Sequence, residues 1–260
     1  MDTPLVSCLM VTRNRLQLAR RSLACLQAQT WPRLELVVVD NGEETCRDLL
    51  EPLRTRMEVR YLHVPPVPGR WIGNLRNIAL DHANGEYCAT WDDDDWFHPT
   101  RIEAQMSYLQ SHSLMVVTLE QVLMHIGTGR FASHPFVSIH PDGAPHTMLH
   151  VRTSQRYQNL PRSSDVRFHD ELRSQLPAGY LGREGSHLYV RCYHGDNIWD
   201  RAHFERRLRR TWRYKLEYAW ARWIRGDVLY HPAFRLDARE QATAEAFFTQ
   251  SRAMGLVDEM

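Results

Sequence analysis

The sequence is marked first by what it lacks. It has no apolar run near the roughly 20 residues needed to cross a bilayer, which excludes an integral membrane helix. Its five cysteines, Cys8, Cys25, Cys46, Cys88 and Cys192, are odd in number, far apart and without a CxxC pair. That excludes a disulfide framework and a zinc site, and it predicts a reducing compartment, the cytoplasm. The start, MDTPLVSCLMV, has no basic stretch before its short apolar run, so no signal peptide is expected. Excess charge is also missing. Lys plus Arg total 32 and Asp plus Glu total 31, a net charge of +1, which excludes a globally basic nucleic-acid-binding surface. Lysine itself is nearly absent, with Lys215 the only one, and no internal repeat or low-complexity tract is present.

What is present is an ordinary globular balance over 260 residues, 43% hydrophobic and 24% charged. In the first half, short apolar runs alternate with amphipathic stretches. Strands are expected at Val6–Val11, Leu34–Val39, Val59–His63, Tyr87–Trp91 and Leu114–Leu119. Helices are expected at Leu16–Gln29, Thr45–Arg54, Ile72–His82 and Thr100–Gln110, the last opened by a Thr100/Glu103 capping box. This alternation implies βαβ units and a mostly parallel sheet, whose ligands bind beyond the carboxyl ends of the strands. Beyond residue 120 the pattern weakens. Loop or edge structure is expected over Gly127–Pro145, helices over Thr147–Tyr157, Asp165–Gln175 and Ala238–Met254, a strand over Leu188–Cys192, and one long basic helix over Ala202–Ile224.

Asp92, Asp93, Asp94 and Asp95 directly follow the Tyr87–Trp91 strand. Four adjacent carboxylates repel one another and are costly to hold folded without a cation. A solvated acidic turn is the plain alternative, but Trp96, Phe97 and Pro99 follow at once and are out of character for such a turn. A divalent cation site is favoured, with alternate side chains Asp92 and Asp94 able to reach one hard ion, Mg²⁺ or Mn²⁺.

The runs VSCLMVTRNR, LELVVVDNG and GNLRNIALDHANGEYCATWDDDDWFHPTRI, in this order, resemble the start of a family 2 glycosyltransferase with the GT-A fold. The likeness covers residues 4–110. It departs from the family pattern at Asn41, where a second Asp is usual, and at Leu75, where a small residue is usual. The resemblance implies a Rossmann-like α/β domain over 1–200, with a nucleotide-binding half (1–119) and an acceptor half (120–200), followed by a helical extension over 201–260. It implies a metal-dependent, inverting transfer from a nucleotide-sugar, a UDP-sugar, to a hydroxyl of a glycan or lipid-linked acceptor. Asp94 would be the main metal ligand, with Asp92 on the metal or ribose. Thr12, Arg13, Arg15, Asp40, Arg76, Asp92 and Asp93 would bind the nucleotide-sugar. His194, in YHGDNIW, would complete the metal shell or contact the diphosphate. Asp165, in YQNLPRSSDVRF, would be the general base, with Asp170 and Glu171 as competitors. Four residues keep a structural alternative: Asp40 as an Asx turn with Asn41-Gly42, Arg76 as a surface helix residue, Asp165 as a helix N-cap or first-turn acid, and His194 as a structural histidine.

Two other functions compete with transfer. A sugar nucleotidyltransferase would carry a glycine-rich phosphate loop after the first strand, but Thr12–Arg15 contains no glycine. A degenerate, non-catalytic nucleotide- or glycan-binding protein is countered by the intact Asp92, Asp94 and Asp165. Residues 201–225 carry nine basic side chains against Glu205 and Glu217, with apolar residues near one helical face. Packing of that face on the core, attachment to anionic lipid at the inner face of a membrane, and nucleic-acid binding are its three readings, in that order.

Overall fold

The structure, a computed structural model, describes residues 3–197 and 199–257. Four parallel strands form its first half: β1 (Val6–Thr12), β2 (Leu34–Asp40), β3 (Glu58–His63) and β4 (Tyr87–Thr90). The remaining strands are β5 (Trp96–Phe97), β6 (Val116–Ile126), β7 (Phe136–Val151), β8 (Ala178–Leu181) and β9 (Tyr189–Tyr193). They join one sheet in the order β3-β2-β1-β4-β7-β6-β9-β5, with β8 pairing on β6. Pairs are antiparallel only at β4–β7, β6–β7 and β5–β9.

Every residue of β2 is buried, as expected of a parallel strand covered on both faces. Alternation then sorts its side chains. Leu34, Leu36 and Val38 pack in one core with α1 (Leu16–Gln27) and α3 (Arg101–Ser111). Val37 and Val39 pack in a second core with α2 (Ile72–Asp81) and α4 (Ser164–Gln175). Two helical layers therefore sandwich the sheet, and the carboxyl ends of β1, β2 and β4 lie along one edge.

Several expectations of local structure fail for identifiable reasons. Residues 147–151 are not helical but complete β7, an interior strand held between β4 and β6. Arg47–Thr55 is a 3₁₀ helix containing Pro52, which cannot donate to an α-helical ladder. Thr100 and Glu103 form no capping box, because the Thr30 hydroxyl donates to Glu103 instead. The basic stretch is broken into α5 (Arg201–Glu205), a 3₁₀ turn at Arg206–Arg209, and α6 (Trp212–Trp223). The Thr211 hydroxyl accepts the Tyr214 amide at 3.1 Å and starts α6 afresh.

The last helix, α7 (Ala238–Ala253), has the capping box absent from α3, formed by Asp237 and Glu240. Its Phe247 and Phe248 belong to the main core. Phe204, Leu208, Val228 and Ala233 form a third core with Met124, Ile126, Phe131 and Phe136. We propose that residues 201–257 fold as part of the domain. Phe247 is fully buried, its ring centroid 4.9 Å from that of His125. Phe247→Ala should cost about 3–5 kcal/mol in urea unfolding. A change below about 1 kcal/mol would show a detachable segment instead.

Candidate active site

The acidic run leaves β4 between α1 and β9, and its backbone is anchored before its side chains act. Ser22 donates to the Asp92 carbonyl at 2.8 Å. Buried Arg21 donates to the Asp94 carbonyl at 2.7 Å and to Ser251 of α7 at 3.1 Å. The side chains then alternate. Asp93 and Asp95 turn inward and are buried. Asp93 accepts from Thr12 at 2.7 Å and from Arg15 at 3.2 Å. Asp95 accepts from the Tyr189 hydroxyl and from the Cys192 amide at 2.7 Å. Asp92 and Asp94 keep 28% and 15% of their side chains exposed, and both line a cleft of about 130 Å³.

Charge balance in the cluster comes from protein cations. Arg15 donates to Asp94 at 3.0 Å, bridging it to Asp93. Arg76 lies 3.6 Å from Asp92 and donates to the Ser164 hydroxyl at 3.3 Å. His194 Nε2 sits 3.2 Å from Asp94. Asn197 accepts the His194 amide at 2.9 Å and so fixes that loop. Burial raises the Asp92 carboxyl, with Arg76 opposing and Asp94 and Asp165 adding to the rise. Burial and then Asp94 raise Asp93, against Arg15 and Thr12. Asp94 behaves differently. Burial pushes it up, but the His194 hydrogen bond and Arg15 outweigh burial and hold it below its ordinary value. Asp94 is thus the carboxylate of the run best kept ionised.

The other wall comes from the segment before α4. Asn77 of α2 clamps Tyr157 through both its backbone groups, at 2.9 and 2.8 Å. Gly73 lets the chain cross here, since a Cβ at that position would sit 2.0 Å from the Gln158 carbonyl oxygen. The segment ends at Ser163, held in the left-handed region at φ 61°, and α4 then begins. This brings Asp165, Ser164 and Arg162 to the cleft. Asp165 also raises the Arg76 guanidinium, which burial alone would lower. Asp170 lies outside, paired with Arg173 at 3.3 Å, and Glu171 does not line the cleft.

The cleft therefore gathers Arg15, Arg76, Asp92, Asp93, Asp94 and Asp165, with His194 bonded into it. Thr12 stands behind Asp93. Arg13 is exposed and makes no side-chain hydrogen bond among the described residues. Asp40 is buried at the end of β2. Its oxygens accept from the Gly42 amide at 2.9 Å, the Cys46 amide at 3.0 Å and Tyr61 at 2.8 Å, so it carries the Asx turn that was the structural alternative. Sequence reasoning missed Arg191 and His146, which also line the cleft. The signal for Arg191 was a lone cation between two buried residues, Val190 and Cys192, of one strand.

Two carboxylates opening on a cleft beside cations fit a Mg²⁺ or Mn²⁺ site completed by phosphate oxygens and water. No three His, Cys, Asp or Glu side chains among the described residues are gathered closely enough to hold an ion unaided. Any ion here would share its shell with a substrate.

The mixed α/β sheet, with its acidic run past the carboxyl end of an interior strand, has the fold of the GT-A glycosyltransferases on which it superposes. The profile of Glycosyl transferase family 2 matches residues 7–169, and the chain belongs to that family. Among curated relatives, EpsH of Bacillus subtilis, assigned as a glycosyltransferase, is 29% identical over 106 residues, 41% of this chain and 30% of its own length. WcaA of Escherichia coli, assigned to colanic acid biosynthesis, is 28% identical over 109 residues, 42% of this chain and 39% of its own. The chain thus matches less than half the length of these relatives. Among solved structures, Staphylococcus aureus TarS 1-349 in complex with UDP-GlcNAc superposes with a TM-score of 0.61 at 17% identity, covering 97% of this chain and 84% of that one. The mannosyltransferase PcManGT of Pyrobaculum calidifontis, in complex with GDP-Man and Mn²⁺, gives 0.56 at 16% identity, covering 97% and 76%.

Arg15 is the bridging cation of the cluster. Arg15→Ala should lower stability by about 1–3 kcal/mol in chelator-treated protein, read by thermal or urea unfolding. An unchanged midpoint would contradict the charge-balancing role.

Proposed function

We propose that the chain is a metal-dependent, inverting glycosyltransferase that moves a sugar from a UDP-sugar to a hydroxyl of a glycan or lipid-linked acceptor. The observation that carries this reading is the opposition of Asp92 and Asp94 to Asp165 across one cleft, with Arg76 between them. Asp165 accepts the proton of the acceptor hydroxyl as its oxygen attacks the anomeric carbon, and the bond from that carbon to the diphosphate breaks. One attack at that carbon inverts its configuration. Arg15 and Arg76 face the negative charge that grows on the leaving diphosphate. Asp92, Asp94 and His194 would hold Mn²⁺ or Mg²⁺, which when bound supplies Lewis-acid stabilisation of the same charge. The UDP-GlcNAc complex of TarS and the GDP-Man and Mn²⁺ complex of PcManGT support a nucleotide-sugar donor and a divalent ion.

Among the described residues no helix is long and apolar enough to cross a membrane. The α6 segment nevertheless turns Trp212, Leu216, Trp223 and Ile224 outward, each more than 60% exposed, beside Arg213 and Arg222. This face suits peripheral contact with an anionic membrane. Trp212→Ser with Trp223→Ser should release the protein from phosphatidylglycerol vesicles, and undiminished retention would exclude the contact.

Asp94→Asn should reduce transfer from a UDP-sugar by about 100-fold or more while preserving the unfolding midpoint. Asp165→Asn should lose transfer to a similar degree but retain UDP binding. Full activity of wild type in excess EDTA would refute the metal mechanism. Full activity of Asp165→Asn would remove Asp165 as the base.

A further inference from the structure

Beside the cleft lies a second groove, of about 720 Å³, lined by His203, Arg206, Arg207, Arg209, Arg210 and Lys215. Five cations line it and no carboxylate does. Arg206 reaches the Asp200 carboxylate only at 4.0 Å. Among the described residues, Arg207, Arg209, Arg210 and Lys215 have no carboxylate within that distance. Arg207 is partly buried, its Nη2 faces His203 Nε2 at 3.4 Å, and its Nε has no partner.

The groove adjoins the active-site cleft. Trp199 lines the cleft, and its ring stacks on His203 of the groove with centroids 4.4 Å apart. Phe204, the next residue, lines the cleft beneath the guanidinium of Arg191, 4.9 Å from the ring centroid. Arg191 likewise has no carboxylate within 4.0 Å among the described residues. His146 at the cleft wall is buried with an unpartnered Nε2. Positive charge therefore stands on both sides of the Trp199–His203 stack, Arg191 near the acidic run in the cleft and five cations in the groove.

We propose that this groove holds phosphate groups of the acceptor, a diphosphate or phosphodiester carried by the molecule whose hydroxyl enters the cleft. The proposal rests on the transferase reading above only for the word acceptor. Guanidinium groups bind phosphate oxygens in pairs, and five cations exceed what one carboxylate would neutralise. A nucleic acid is less suited, because the groove offers no Trp, Tyr or Phe on which bases could stack. The arrangement is also strained without an anion. Burial and the neighbouring Arg191, Arg210 and Arg206 push the Arg207 guanidinium down to about 10. A bound phosphate would relieve that repulsion.

The test uses the full chain with EDTA present, so that no metal assists binding in the cleft. Tripolyphosphate is titrated calorimetrically into wild type and into Arg206→Gln/Arg210→Gln, two exposed positions. Wild type should bind, and the double variant should bind about tenfold more weakly or worse. In a separate titration with Mn²⁺, both proteins should bind UDP equally. No tripolyphosphate binding, or binding that the double variant leaves unchanged, overturns the proposal. Binding of phosphatidylglycerol vesicles without binding of tripolyphosphate also overturns it, because the groove would then belong to the membrane face of α6. Tripolyphosphate binding without any UDP binding would uphold the groove while refuting the donor reading.

Discussion

The structure depends on how four consecutive carboxylates are kept together at the end of β4. Repulsion within such a run disfavours folding unless each charge is paired, hydrogen-bonded or protonated. The bend between β4 and β5 solves half of the problem by sending alternate side chains to opposite sides. Asp93 and Asp95 go inward to Thr12, Tyr189 and a backbone amide, while Asp92 and Asp94 face the cleft beside Arg76, Arg15 and His194. The pairings reach across the chain, since Arg15 follows β1, Arg76 lies on α2 and His194 follows β9. The site therefore assembles only when all three elements have docked on the sheet.

The same economy of contacts places Asp165, the proposed general base. Asp165 has no direct partner among the described residues, but the segment carrying it is fastened to α2 by Asn77 and by the close crossing at Gly73. Arg76 connects the two walls, touching Asp92 on one and Ser164 on the other. The two walls of the cleft thus share one helix as their spacer. Backbone strain at Ser163, a non-glycine residue with positive φ, sits at the junction where Asp165 is aimed.

How much of this was legible in the sequence follows from the range of the interactions. The parallel half was readable because strands buried on both faces write continuous apolar runs, as in Leu34–Asp40. The acidic run was readable because its cost is local. Its remedy was not. The sequence alone pointed to a cation beside four carboxylates but not to Arg15, 78 and 79 residues away in the chain, which offsets part of that charge. Asp40 was ambiguous for the opposite reason: a strand-end Asp suits either a ligand or a turn, and its turn contacts come from Cys46 and from distant Tyr61. The second half resisted because its pairings mix parallel with antiparallel and carry register shifts between β6 and β7. β7 runs through His, Pro and Gly, and its pairing with β4 rather than local propensity makes it a strand. Near-zero net charge hid both poles, the carboxylates at the cleft and the arginines beside it.

The central claim is that Asp92 and Asp94 share a divalent ion with the diphosphate of the donor. Electron paramagnetic resonance of Mn²⁺ with UDP bound to the protein tests it most directly. The account predicts phosphorus hyperfine coupling from the diphosphate and loss of the protein-bound Mn²⁺ signal in Asp94→Asn. A Mn²⁺–UDP signal identical with and without protein, or one that survives Asp94→Asn unchanged, would contradict it.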